Sequence, residues 1–333
     1  MKRILFIIFA LLAVSAHADN YAQREEVQAF IADMQTRHGL DAERLAALFQ
    51  NTRPLPAVLK AIAPPAAPGM RSWVAYRQRF IEPRRIKAGL DFWRQHQAAL
   101  ARAEAHYGIP AEIIVAIIGI ETFYGRHLGR FGSFAALATL AFDYPRRAEL
   151  FRRELEALLL LARDEGRAPD SYRGSFAGAI GLPQFLPSSI RAYAVDFDGN
   201  GRIDLTASPV DAIGSAANFL KEHGWENGGP IALKVGAGGT AAQRLIDEGI
   251  KPARRPAEMA AFDIEVPAAA PAAPAALIEL VTPAAPAEYW LGYQNFYVIT
   301  RYNRSSFYAM TVMQFAQELR ERHFGYTARS GFQ

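Results

Sequence analysis

Glu121 is the residue whose setting most invites chemistry. It follows Ile113, Ile114, Val115, Ala116, Ile117, Ile118, Gly119 and Ile120, a run long enough for a helix and apolar on every side. Such a helix is buried. A carboxyl at its C-terminal end meets two effects of the same sign: apolar surroundings disfavour the ionised form, and the negative end of the helix dipole repels it. Both raise its pKa. A carboxylic acid that keeps its proton near neutral pH is what cleavage of a glycosidic bond requires, because the leaving oxygen is protonated as the bond breaks. The plainer alternative is a glutamate turned outward to water. Glu112, in the first turn of the same helix, sits where the dipole favours negative charge and reads as structural.

A second pattern, Asp196-x-Asp198-x-Asn200-Gly201, matches the opening of a calcium-binding loop, where alternate oxygen ligands converge and glycine makes the sharp turn. Arg202 would offer its backbone carbonyl. A standard loop then has glutamate where this chain has Ala207, so Asp211 would close an enlarged loop, with Asp204 acting directly or through water. The alternative is an Asp/Gly/Asn turn without an ion. The expected role is structural, apart from Glu121.

Other chemistries lack their residues. There is no cysteine, hence no disulfide, thiolate metal site or lipid-modified cysteine, and the seven histidines show no ligand spacing. His106, His127 and His223 read as surface or capping residues. No glycine-rich phosphate loop follows a strand, so no cofactor is expected for the chemistry beyond a structural calcium ion. A net charge of +4 is too small an excess to argue for nucleic acid, and suits an anionic polymer no better than it suits mere solubility.

The elements that must hold Glu121 are mostly helical. Val27, Phe30, Ile31 and Met34, then Leu45, Leu48 and Phe49, have helical spacing on either side of Gly39, and a Pro-rich joint spans 54–68. Residues 72–105 read as helical, with Ser72 able to cap and Trp73, Tyr76 and Phe80 on one side. Pro110 fits the first position of the apolar helix and Gly125 its stop. Residues 134–165 and 208–224 are helical by period. Beyond Trp225 the segments 231–235, 262–266 and 289–302 read as strands, giving a small β-rich region, with the Ala/Pro stretch 267–288 as part of it or as a linker. Met310 to Leu319 reads as the closing helix.

The first 18 residues follow the secretory pattern: Lys2 and Arg3, the apolar run Ile4 to Val14, then Ala16-His17-Ala18 as a cleavage site. A retained anchor is the alternative, but the run is short for a span and no other apolar stretch supplies one. No permanent membrane anchor is expected. The mature chain of roughly 315 residues exceeds what one core usually serves, so several regions are expected: 1–18 leader, 19–106 α-helical, 107–227 catalytic with the loop 196–211, 228–300 β-rich, and 301–333 packing back on the others.

Gly119-Ile120-Glu121-Thr122, together with Gly178-Ala179-Ile180-Gly181-Leu182-Pro183-Gln184-Phe185-Leu186-Pro187-Ser188-Ser189, closely resembles the two signatures of the lytic murein transglycosylase B family, glycoside hydrolase family 103. The similarity runs from about Trp73 to the C-terminus through Phe142-Asp143-Tyr144-Pro145-Arg146-Arg147, Val195-Asp196-Phe197-Asp198-Gly199 and Ile299-Thr300-Arg301-Tyr302-Asn303. The resemblance implies an α+β, mainly α fold: a lysozyme-like core with an added α region and a small β-rich subdomain around a groove. It implies Glu121 as the only catalytic carboxylate, with peptidoglycan glycan strands as substrate and a 1,6-anhydromuramoyl product. Position by position, it places Ser175, Gln184, Tyr302 and Asn303 against the sugar and its N-acetyl group, Tyr76 on the groove wall, and Arg146 and Arg147 near the peptide side. The alternative places Tyr76 in the core, the arginines on a solvated face and Ser175 in a turn. A periplasmic enzyme of cell-wall turnover follows, with cell-wall synthesis enzymes as partners. Two rivals stay open: a hydrolytic muramidase on the same fold, with Asp143 as second carboxylate, and a silent peptidoglycan-binding scaffold.

Overall fold

The computed structural model describes residues 20–64 and 71–330, so the leader and part of the Pro-rich joint lie outside the described residues. Tyr21 opens a short 3-10 turn that leads into α1 (Glu25–His38) and α2 (Ala42–Gln50), separated at Gly39, whose φ of 65° ends α1. Asp41 caps α2 by accepting from the backbone of Glu43 and Arg44. α3 (Pro56–Ile62) follows, then the expected helical stretch divides into α4 (Trp73–Phe80), α5 (Pro83–Gln95) and α6 (Gln97–Tyr107), with Ser72 capping α4. α7 (Ala111–Thr122) is the apolar helix, and Pro110 stands one residue earlier than expected, as its N-cap. Eleven of its twelve residues are buried, all but Glu121.

α7 ends sooner than Gly125. Phe123 turns left-handed (φ 52°) and donates its N–H to Gly119; Tyr124 follows at φ 59° and Gly125 at 86°. Left-handed conformations cost a non-glycine residue about 1 kcal/mol or more. Packing offsets that cost. The Tyr124 ring lies 5.2 Å from Phe92 and fills space left by two glycines, since a Cβ on Gly89 or Gly119 would collide with the Tyr124 hydroxyl. The glycine two places before Glu121 therefore exists to admit this ring and Phe315.

Beyond it, β1 (Phe131–Gly132) pairs antiparallel with β2 (Arg173–Gly174), bracketing α8 (Ser133–Asp143) and α9 (Ala148–Asp164). α10 (Pro187–Tyr193), which the sequence pattern did not indicate, is held at its start by buried Glu154, which accepts from Ser188 N and Oγ at 3.0 and 2.6 Å. α11 (Pro209–Glu222) completes the middle of the chain.

The β-rich region is a three-stranded antiparallel sheet in the order β3-β5-β4: β3 (Ala232–Val235), β4 (Ala276–Thr282) and β5 (Ala285–Gly292). α12 (Gly239–Asp247) and α13 (Pro256–Met259) join it around a second, small apolar cluster of Val235, Leu245, Met259, Ile264, Leu277 and Leu291. Residues 262–266 are not a strand: Phe262 ends a 3-10 turn, Asp263 is left-handed, and only Glu265 makes a single bridge, to Gly236. The strand expected over 289–302 holds only for 289–292. β5 stops at Gly292 and α14 (Gln294–Tyr302) begins, crossing position 300 where a regional boundary was expected. Buried Asn295 explains the change: its Oδ1 accepts from Glu226 N at 2.8 Å, and its Nδ2 donates to the Glu226 and Gly229 carbonyls at 2.8 and 3.0 Å. α15 (Ser306–Ser330) extends beyond the closing helix expected at 310–319 and packs along α7, with Arg320 paired to Glu112 at 2.8 Å. Among the described residues no single helix is long and apolar enough to cross a membrane.

Candidate active site

Glu121 is half-buried at the last turn of α7. Burial pushes its pKa up to about 7, opposed by a hydrogen bond in which the Tyr308 hydroxyl donates to Glu121 Oε1 at 2.6 Å. Burial is the larger influence, so the acid stays protonated into the neutral range. No other carboxylate acts on it among the described residues. Its negative form instead raises three phenols, those of Tyr76, Tyr302 and Tyr308, each already raised by its own burial. The rings of Tyr302 and Tyr308 stack at 6.4 Å and 14°. Sequence reasoning missed Tyr308; it is fully buried on α15, and its only outward sign is a phenol placed among apolar residues, where the O–H must find a partner.

The loop between β2 and α10 is bound to the foot of α7. The buried Thr122 hydroxyl, shared between the carbonyls of Leu182 (3.0 Å) and Ile118 (3.3 Å), also accepts from Gly125 N. Tyr302 donates to the Pro183 carbonyl at 2.7 Å. The loop's glycines are forced: Gly178 (φ 82°) lies against Leu137 and Gly181 (φ 77°) against the Leu205 backbone, with no room for a Cβ. Gln184 is itself left-handed at φ 50°, and its amide nitrogen donates to the Leu128 and Gly181 carbonyls at 3.2 and 2.9 Å. The amide is thus fixed, with its oxygen left to accept from a ligand. Ser175 stands at the root of the same loop, accepting from Ala177 N and Ala179 N at 3.2 and 3.1 Å. Its turn role is real, and its hydroxyl proton is still available to donate.

Tyr76 and Asn303 line one cleft of about 540 Å³, together with Arg71, Arg79, Arg304 and Phe307. Tyr76 is half-buried, neither core nor free surface. Glu121, Tyr76, Gln184, Tyr302 and Asn303 are therefore drawn into one neighbourhood by α4, α7, the 175–185 loop and the α14–α15 junction. Arg146 and Arg147 are exposed on a 3-10 turn between α8 and α9, without a hydrogen bond or ion pair to this group among the described residues. Asp143 is engaged elsewhere: Tyr21 donates to one of its oxygens, and Arg24 pairs with the other at 2.6 Å.

In the acidic loop, single oxygens of Asp196, Asp198 and Asp211 lie within 4.8 Å of one another. Asp211 is fully buried and accepts from the backbone of Phe197, Asp198 and Asp204. Asn200 Oδ1 accepts from Arg202 N at 2.9 Å in the same turn. Leu182 N donates to the Leu205 carbonyl at 2.8 Å, so the acidic loop backs directly onto the Gln184 loop.

Residues 22–317 match the transglycosylase SLT domain family. The chain belongs to that family. It is 42% identical over 313 residues to the membrane-bound lytic murein transglycosylase B of Escherichia coli (strain K12), covering 90% of this chain and 83% of that protein. Its fold is similar to the soluble lytic transglycosylase SltB1 from Pseudomonas aeruginosa, with a TM-score of 0.83 and 45% identity over 90% of this chain and 99% of that one. It is also similar to the Escherichia coli lytic transglycosylase Slt35 in a complex with calcium, with a TM-score of 0.77 and 40% identity over 93% and 95% of the two chains. An α+β, mainly helical fold of the lytic transglycosylase type, as expected, is what this SLT-domain protein has.

Proposed function

We infer that this member of the SLT-domain family works with one acid/base carboxylate, Glu121. The protein is a peptidoglycan lytic transglycosylase of the bacterial cell envelope, and its substrate is the murein glycan strand. The observation that carries the single-residue reading is the raised, solitary carboxyl of Glu121 beside the Tyr308 hydroxyl. Protonated, Glu121 gives its proton to the oxygen bridging N-acetylmuramic acid and N-acetylglucosamine as the β-1,4 bond breaks. As a carboxylate it takes the proton of the muramoyl C6 hydroxyl, whose oxygen attacks C1 and closes the 1,6-anhydro ring. The substrate supplies the nucleophile, so no second carboxylate is needed. Tyr308 steadies the ionised stage and the buried surroundings steady the protonated one.

Around it, the amide oxygen of Gln184 and the groups of Ser175, Tyr302 and Asn303 are suited to orient the sugar and its acetamido group, and Tyr76 to wall the groove. Arg146 and Arg147 face solvent and are suited to peptide carboxylates. The hydrolytic rival loses support from the engagement of Asp143 by Tyr21 and Arg24. Product masses decide between them: an anhydro product is lighter by one water than a hydrolysis product, and reducing ends formed in step with cleavage reject the transglycosylase. A scaffold is rejected if Glu121→Gln abolishes cutting of sacculi while strands still bind.

We also propose that the loop holds a structural calcium ion through Asp196, Asp198, Asn200, the Arg202 carbonyl and Asp211. Three carboxylates this close repel one another, one of them wholly buried, and a divalent cation relieves both costs. Calcium added to chelated protein should raise the melting temperature, and Asp198→Ala should lose the response; no change in the wild type sinks the proposal. Residues 1–18 are proposed to direct export to the periplasm.

A further inference from the structure

Arg71, Arg79 and Arg304 stand in the same cleft as Tyr76 and Asn303, and no acidic residue lines it. All three are exposed. Several other surface arginines are paired with carboxylates, among them Arg37 with Asp33 and Glu156, Arg163 with Asp164, and Arg254 with Glu248. These three have no ion-pair partner among the described residues. They come from the approach to α4, from its last turn and from the α14–α15 junction, the segments that also carry Tyr76 and Asn303. Glu121 pushes the Tyr76 phenol up while Arg79 and Arg71 pull it down, so acid and guanidinium groups both lie within electrostatic reach of one hydroxyl.

We propose that this arm of the cleft is a carboxylate-binding subsite, in which Arg71, Arg79 and Arg304 grip anionic groups carried by the muramic acid residues of the strand. Positive charge gathered along a cleft raises the local concentration of anions, and the planar guanidinium fork matches a carboxylate in two parallel hydrogen bonds. Such carboxylates have two sources on a glycan strand: the stem peptides, or the lactyl group once its peptide is gone. The subsite rests on the proposed glycan-cleaving role of the cleft and specifies what that cleft recognises beyond the sugar. It is separate from Arg146 and Arg147, which lie on another turn and outside this lining.

The test compares the wild type with a variant carrying Arg71→Gln, Arg79→Gln and Arg304→Gln on three strand preparations. One keeps its stem peptides, one is stripped to free lactyl carboxylates, and one keeps its peptides but has every carboxyl amidated. Three exposed ion pairs together are worth about a tenfold change. The expected result is a KM about tenfold higher on intact strands, with kcat changed less than KM. The preference for intact over amidated strands, present in the wild type and weakened by salt, should disappear in the variant. A KM rise on intact strands alone assigns the grip to the peptide carboxylates, a rise on stripped strands alone assigns it to the lactyl carboxylate, and a rise on both shows that the subsite takes either. Equal KM for the two proteins on both intact and stripped strands overturns the proposal, as does a rise of the same size on amidated strands. The same comparison by co-sedimentation in a Glu121→Gln background reads binding without turnover. If wild-type digests carry reducing ends, the transglycosylase mechanism falls while the subsite stands.

Discussion

The hydroxyl of Tyr308 donates to Glu121 Oε1 at 2.6 Å, joining α15 to the foot of α7 across 187 positions of the chain. Hydrogen bonding to a carboxylate favours its charged form, so Tyr308 opposes the burial that raises the Glu121 pKa to about 7. Tyr308→Phe removes that opposition. The Glu121 pKa then rises further, and because the protonated form begins the reaction, the alkaline limb of the kcat/KM profile should move to higher pH. The maximal rate should fall, since the ionised stage loses its support. A limb that stays in place or moves down would show that Tyr308 does not address the catalytic carboxyl.

The same carboxyl sets a pH dependence of stability. Its folded pKa lies above the unfolded value, so the folded state binds the extra proton. Stability linked to it is fully present below about pH 4.5 and is lost as pH rises through about 7. Glu121→Gln does not titrate and escapes the loss. Each pKa unit is about 1.4 kcal/mol, so the variant should gain on the order of 1–3 kcal/mol over the wild type above neutrality and show no such gain at pH 4. Denaturant melts at the two pH values check this. An equal difference at both would mean that the carboxyl is not held in its raised state.

How much of this was legible depends on where each interaction lies along the chain. α7 and the setting of Glu121 were readable because eight apolar residues precede the acid and leave no polar face for water. α14 was not, because Phe296, Tyr297, Val298 and Ile299 have a strand's composition, and what selects the helix is remote: Asn295 anchored to the Glu226 and Gly229 backbone. Residues 262–266 failed for the related reason that a short aromatic and β-branched run says nothing of whether a partner strand is present. Gln184, Tyr302 and Asn303 came from a resemblance and not from period or spacing. Tyr308, six residues beyond Tyr302, lay outside the quoted motif, and only the fold brings it to the acid. The acidic loop's contact with the Gln184 loop through Leu205 was equally out of reach, because backbone-to-backbone bonds leave no mark on residue type.

Thr122 fastens the Gln184 loop to the catalytic helix through Leu182 and also satisfies Gly125 N. Thr122→Val keeps the shape and deletes the hydroxyl, leaving a buried carbonyl and a backbone N–H without partners. The expected cost is about 1–3 kcal/mol. At a temperature where the variant remains folded, kcat/KM should still drop, because Gln184 is no longer held at a fixed position relative to Glu121. Thr122→Ser, which retains the hydroxyl, should recover most of the activity. Full activity in the folded valine variant would show that the loop is positioned by its glycines and by Tyr302 alone.

The β-rich region has a mechanical connection to the cleft, and it runs through Trp73. This residue is 1% exposed, and its indole N–H donates to Glu288 Oε1 on β5 at 3.1 Å. Glu288 is also paired with Lys234 of β3 at 3.2 Å, and Thr282 at the end of β4 accepts from Val74 N. The hairpin thus clasps the first turn of α4, the helix that carries Tyr76. Phe307 lies edge-on to both rings, 5.6 Å from Trp73 and 5.7 Å from Tyr76, immediately before Tyr308. Glu288→Ala leaves the buried indole N–H without an acceptor, so stability should fall by about 1–3 kcal/mol. KM for glycan strands should rise as the Tyr76 wall loosens. Glu288→Gln keeps an acceptor and should stay near the wild type in both respects. Lys234→Ala should change little, because that pair is largely exposed to solvent. If Glu288→Ala lowers the melting temperature and leaves KM unchanged, the hairpin supports the fold without setting the cleft.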